Sequence, residues 1–320
     1  MAVLNYAVQY SQALAQRFPY VLNFGALYAT PNNGRYRITG AKTIKIPSIS
    51  TTGRTNADRD SIKTAARNYD NAWETKELTN ERKWSTLVHP ADIDQTNEVT
   101  TITNITMVMN EEQKFPEMDA YCCSKIYNDW IATRDEKGNL RVADDTILTV
   151  QNILAVFDNL MLKMDNERVP ANGRILYITH EVASILKSAD KISRSLDVSK
   201  GPNALDRRVN RLDQVQIVPV PSTLMRTAYD FTEGYEIEPD AKQINMFLVH
   251  PLAVITPVSY QFAQLDPPSA GSEGKYVYYE ESFEDVFILN KKSGAIQFNV
   301  TDVQETTETT ETTETTETTE

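Results

Sequence analysis

The residues able to do chemistry are few and scattered. There are three histidines, His89, His180 and His250. His180-Glu181 begins like a zinc-protease helix, but Ser184 stands four residues on, where the second ligand would fall. His89 and His250 each precede proline, which biases them toward extended backbone at a loop or strand end. Cys122 and Cys123 are adjacent, in a stretch that reads as helix, where a vicinal disulfide would be badly strained. They read as small buried hydrophobes in a reducing compartment. The acidic pairs Asp144–Asp145, Glu280–Glu281 and Glu284–Asp285 read as solvated faces, since a two-carboxylate mechanism depends on a separation in space. Tyr276, Tyr278 and Tyr279 could stack on a ligand, but strand alternation favours packing. No metal, cofactor or catalytic cluster emerges.

Phosphate chemistry fares no better. The chain has 11 glycines in 320 residues, and no two are separated by a single residue, so the dinucleotide fingerprint is absent. Gly274-Lys275 is followed by Tyr276 rather than Ser or Thr, which excludes a phosphate loop. Net charge is −12, with six glutamates in the last sixteen residues (ETTETTETTETTETTE), a composition that predicts a disordered tail. A chain of this balance is not a general nucleic-acid binder. Hydrophobic residues at 41% and charged residues at 24% are ordinary globular values. The first thirty residues lack an unbroken apolar core, and no run approaches a membrane span, so a soluble, intracellular protein is expected.

The elements that would position a site are clearer. Residues 3–17 carry Val3, Ala7, Tyr10 and Leu14 at helical spacing, an amphipathic arm. Residues 41–50 alternate as a strand. Residues 53–83 hold seven bases and six acids with few apolar residues, too few to build a core. Such a long excursion inside a compact chain is functional or disordered. The β-branched run at 99–109 predicts a strand. Pro116 suits the first turn of a long helix over 113–135, with Met118, Cys122, Ile126 and Trp130 on one stripe. A second helix is expected over 146–165, then a buried strand at Arg174–Ile178 and a short helix capped by Thr179. Strands follow at 214–221, 244–249, 275–289 and 294–300. Strands and helices mixed without regular alternation predict an α+β fold.

Taken in order, these parts resemble the major capsid protein of tailed bacteriophages, the Hong Kong 97-type fold. The likeness runs through the charged excursion, the return at Trp84–Val88, PEMDAY (Pro116–Tyr121) and VPANGRILYIT (Val169–Thr179). It continues through LDQVQIVPVPSTLM (Leu212–Met225), INMFLVHPLAVI (Ile244–Ile255) and the run Ser272–Ile296. It covers residues 1–300.

The resemblance implies an N-terminal arm at 1–40 and an extended loop hairpin at 41–88. It implies a peripheral domain at 89–145 and 261–304 with a spine helix, and an axial domain at 146–260; the tail is 305–320. The loop would lie on a neighbouring subunit through Arg54, Arg59, Arg67, Trp73, Glu74 and Glu77. The implied function is structural, without catalysis or cofactor: pentamers and hexamers closing an icosahedral head around the phage genome. Partners would be copies of itself, a separate scaffolding protein, the portal and other head proteins, with DNA enclosed rather than bound and no membrane. Location would be the virion, after assembly in the host cytoplasm. An encapsulin-like compartment of the same fold is the alternative, distinguished by enclosed enzyme cargo. A hydrolase with a dispersed site and a Thr-rich surface adhesin are weaker readings.

Overall fold

The computed structural model describes residues 20–302 apart from 35, 40–41, 55, 57–66, 96–100, 136–137 and 190–210. The amphipathic arm at 3–17 and the tail at 305–320 therefore lie outside the described residues. In chain order come α1 (Gly25–Tyr28), β1 (Arg37–Ile38), β2 (Thr43–Thr51), β3 (Tyr69–Glu77), β4 (Glu81–Val88) and α2 (Pro90–Gln95). Next are α3 (Ile102–Met109), α4 (Phe115–Ile131), α5 (Ile153–Asn166), β5 (Ile175–Thr179), α6 (His180–Ser188), β6 (Arg211–Leu212) and β7 (Val215–Val220). The chain closes with β8 (Tyr229–Asp230), β9 (Glu236–Ile237), β10 (Gln243–Val249), β11 (Val254–Ile255), β12 (Val258–Asp266), β13 (Tyr276–Glu284), β14 (Phe287–Ile288) and β15 (Ile296–Thr301).

The main core is a five-stranded sheet in the order β15-β10-β5-β7-β6. Only the β5–β7 pair is parallel. Both faces are covered, which is why β5 and β10 read as unbroken apolar runs. Leu176, Ile178, Met246 and Leu248 face α5 and α6, packing on Ile153, Phe157, Leu160, Val182 and Leu186. Tyr177, Phe247, Val249 and Phe298 face α4, packing on Cys122, Cys123, Ile126 and Trp130. Small side chains at Ala120, Cys122 and Cys123 let α4 lie close to the sheet. Both thiols are free and buried, and burial pushes them far above the ordinary thiol range, so they are inert hydrophobes. Thr179 caps α6 by accepting from the Val182 amide.

Three expectations need correction. The run at 102–109 is helix α3, not strand: Thr101 accepts from the Asn104 amide at 3.4 Å, and the Thr106 hydroxyl donates back to the Ile102 carbonyl at 2.9 Å. A π turn at Asn110–Lys114 joins α3 to α4 as one helical run, and this context overrides the β-branched composition. Helix α5 starts at Ile153 rather than 146. The expected strand at 275–289 breaks at Asp285, which is buried with hydrogen-bond partners of its own.

A second sheet has the order β12-β13-β4, and a third β1-β2-β3. They are joined by the corner Leu78–Asn80, where a small core of Ile44, Leu78, Ile255 and Phe287 seats the hairpin of β2 and β3.

Candidate assembly surface and the joint at its base

The hairpin β2–β3 is two nine-residue antiparallel strands, Thr43 opposite Glu77 and Thr51 opposite Tyr69. At about 3.3 Å per residue it is roughly 30 Å long. Register alternation gives it two unlike faces. One carries Ile44 and Ile46, with Lys76 and Glu74 opposite them, and Ile44 is fully buried at the base. The other carries Trp73 opposite Pro47, with Ile49 and Tyr69 further out, and all of Trp73, Ile49 and Tyr69 are exposed. Together they form an exposed aromatic and aliphatic band along one face of the ribbon.

The six residues expected at a contact fall as follows. Trp73 stands 52% exposed on the apolar band. Glu77 shares that face near the base and is exposed. Glu74 lies on the opposite face in an ion pair with Lys76 at 2.9 Å. Arg54 is exposed just past β2. Arg67 is exposed and lies over the Tyr69 ring at 4.9 Å. Arg59 lies outside the described residues. The structure thus gathers Trp73, Glu77, Arg54 and Arg67 on one ribbon and turns Glu74 to its other side.

No local pattern of residues marks the joint beneath this ribbon. Asp285, read there as part of a solvated acidic pair, is buried. It accepts from the Thr79 amide at 2.8 Å, the Thr79 hydroxyl at 3.2 Å and the Tyr121 hydroxyl at 2.8 Å. It therefore ties the hairpin corner to α4 and to the end of β13. Burial, then Asp285 itself, pushes the Tyr121 hydroxyl far above the usual phenol range. Arg82 of β4 pairs with Glu117 of α4 at 2.6 Å and donates to the Phe231 and Gly234 carbonyls. Lys114 donates to Glu280 of β13 at 3.1 Å. These side chains border a cleft of about 510 Å³ between α4, the β4–β13–β12 sheet and the turn at 232–234, walled also by Trp84, Met118 and Phe262. Trp84 and Tyr278 pack ring to ring, as do Phe262 and Tyr279, so these tyrosines serve packing.

Among the described residues no group of three or more His, Cys, Asp or Glu side chains is placed to hold a metal. No helix there is long and apolar enough to cross a membrane. His89 and His180 are exposed, while His250 is spent capping the turn after β10 and contacting the Asn172 carbonyl.

No family model matches this chain, and no curated protein matches its sequence. Solved structures do. The capsid of cyanophage P-SCSP1u superposes with a TM-score of 0.69 at 12% identity, over 93% of both chains. This chain has the phage capsid fold. The head of Helicobacter pylori bacteriophage KHP40 gives a TM-score of 0.60 at 10% identity, covering 93% of this chain and 95% of that one. The mature capsid of bacteriophage PhiM1 gives 0.59 at 13% identity, covering 94% and 91%. At such identities the phage capsid fold is carried by the order and packing of elements rather than by shared residues.

Proposed function

We propose that this chain is the major capsid protein of a tailed bacteriophage, a structural subunit whose pentamers and hexamers close an icosahedral head. The observation that carries the reading is likeness to capsid chains along nearly the whole length of both partners. The projecting hairpin supports it, because an apolar band on a ribbon suits a contact given to one neighbour and received from another. In this reading residues 41–88 form the extended loop, 89–145 with 261–304 the peripheral domain, and 146–260 the axial domain. A separate scaffolding protein, a portal and packaged DNA held by enclosure complete the assembly in the host cytoplasm. Electron microscopy of the purified chain, alone and co-expressed with a scaffold, tests this. Rings and closed shells are expected; a strict monomer under every condition refutes it.

The contact role of the hairpin has its own test. Large aromatics dominate interface energetics, and a central one is worth about 2 kcal/mol or more per contact. Exposed ion pairs give about 0–1 kcal/mol each. Trp73→Ala is therefore expected to weaken shells more than reversing Arg54, Arg59 or Arg67 singly. Melting of the free subunit should stay within about 0.5 kcal/mol of wild type, as for exposed positions generally. Shell dissociation and subunit melting are compared side by side. Equal damage to both would show Trp73 to be a folding residue.

A further inference from the structure

The joint below the hairpin holds more carboxyls than it has partners for. Helix α4 brings Glu117, strand β13 brings Glu280 and Glu284, and Asp285 follows directly. Against these four stand two bases, Arg82 from β4 and Lys114 from the π turn. Arg82 is taken by Glu117 and Lys114 by Glu280. Asp285 is satisfied by Thr79 and Tyr121. Glu284 alone has no hydrogen bond or ion pair to its side chain among the described residues. Glu117, Glu284 and Asp285 line a small cleft of about 20 Å³ together with Tyr28, Asn80, Met118 and Tyr121. That is room for about one water.

We propose that Glu284 makes this joint a proton-operated latch. With a proton taken from solvent onto its carboxyl, Glu284 sits neutral among Glu117, Glu280 and Asp285, and the hairpin corner, β13 and α4 close together. With the proton returned to solvent, a fourth negative charge lies among the other three and the joint loosens. The hinge is built for this. The corner is held to β13 by the Thr79–Asp285 bonds and by the Glu284 amide donating to the Asn80 carbonyl at 3.3 Å. The wider cleft adds no compensating excess of base: Glu81 is drawn off by Lys42 at 2.6 Å, and Lys83 stands opposite Glu281 in the β4–β13 register. Glu233 adds another acid from the 232–234 turn.

Burial holds the Glu284 carboxyl above its ordinary range; Lys114 opposes this, while Glu117, Glu280 and Asp285 add to it. Burial raises Glu117 as well, with Arg82 and Lys114 opposing. The sign follows. A carboxyl whose folded value lies above its unfolded one binds the extra proton in the closed state. Its contribution is fully present below the unfolded value, falls as pH rises between the two, and is lost once pH passes the raised value.

Hydrogen exchange on the full chain at about pH 3.5 and about pH 8, corrected for chemical exchange, reads the latch directly; the expected fall is about tenfold per pH unit by which the value is raised. Protection of the Thr79 amide and the β4–β13 ladder should drop severalfold in wild type as pH rises across that interval. In Glu284→Gln the drop should be less than about twofold, with the β5–β10 ladder flat in both proteins. A flat wild type, or a Glu284→Gln profile that follows wild type, overturns the latch. Glu117→Gln, which removes a like-charged neighbour and frees Arg82, must move the transition to lower pH; an unmoved midpoint also overturns it. The readout is a property of the subunit, so it stands or falls independently of shell formation.

Discussion

Phe247→Ala is expected to destabilise the subunit by about 3–5 kcal/mol, the usual cost of emptying a large aromatic site in a core. Phe247 is fully buried at the centre of β10. Its ring stacks on Phe298 of β15, with centroids 4.6 Å apart and planes 9° from parallel. It stacks on Tyr177 of β5 at 5.6 Å and meets Phe24 at 6.0 Å. Three adjacent strands and the segment before α1 therefore share one ring, and aromatic pairs add about 0.5–1.5 kcal/mol each beyond area. Phe247→Leu keeps most of the volume and should cost roughly half as much. Denaturant titration of both variants checks this. A cost below about 1 kcal/mol for alanine would mean that the site collapses around the loss, contrary to close packing on both faces.

Arg174→Met should cost about 3 kcal/mol, for a different reason. The Arg174 side chain is completely buried beyond the end of α5. Its Nε donates to the Pro170 carbonyl at 2.9 Å and its Nη2 to the Val169 carbonyl at 2.7 Å. Nη2 also reaches Asp165, whose side chain is 58% exposed. A pair with one partner in water contributes little, so the carbonyls left unsatisfied by methionine carry the cost. Two further measurements separate these effects. Asp165→Asn should cost under about 1 kcal/mol, and added salt should leave wild-type stability nearly unchanged. Arg174→Lys should be almost as damaging as methionine, because an ammonium cannot reproduce the planar fork. If Asp165→Asn equals Arg174→Met, the ion pair rather than the carbonyl clamp is decisive.

What could be read in advance follows from how local each cause is. The strand at 174–178 and the one at 244–249 were legible because a sheet buried on both faces writes continuous apolar runs. The Thr179 cap and Pro116 were legible because capping and first-turn rules act within four residues. Trp73 stood out for lack of apolar neighbours, and it is exposed. Helix α3 was misread because Ile102, Thr103, Ile105, Thr106 and Val108 favour strands locally. Its helical state comes from the Thr101 cap and its continuation through the π turn into α4. Asp285 was misread because its partners Thr79 and Tyr121 lie 206 and 164 residues away in sequence. No short-range signal separates it from an ordinary surface acid.

The corner at Leu78–Asn80 has a mechanical consequence. It is three residues long, belongs to neither sheet, and carries a ribbon whose apolar seat is at its root, Ile44 and Leu78, with the flexible Lys291 side chain reaching the Ile49 carbonyl further out. A ribbon of about 30 Å acts as a lever, so a rotation of about 5° at the corner displaces its far end by about 2.5 Å. In the proposed shell, this lets identical chains reach neighbours set at slightly different inclinations without repacking a core side chain, the adjustment being absorbed where the leverage is greatest.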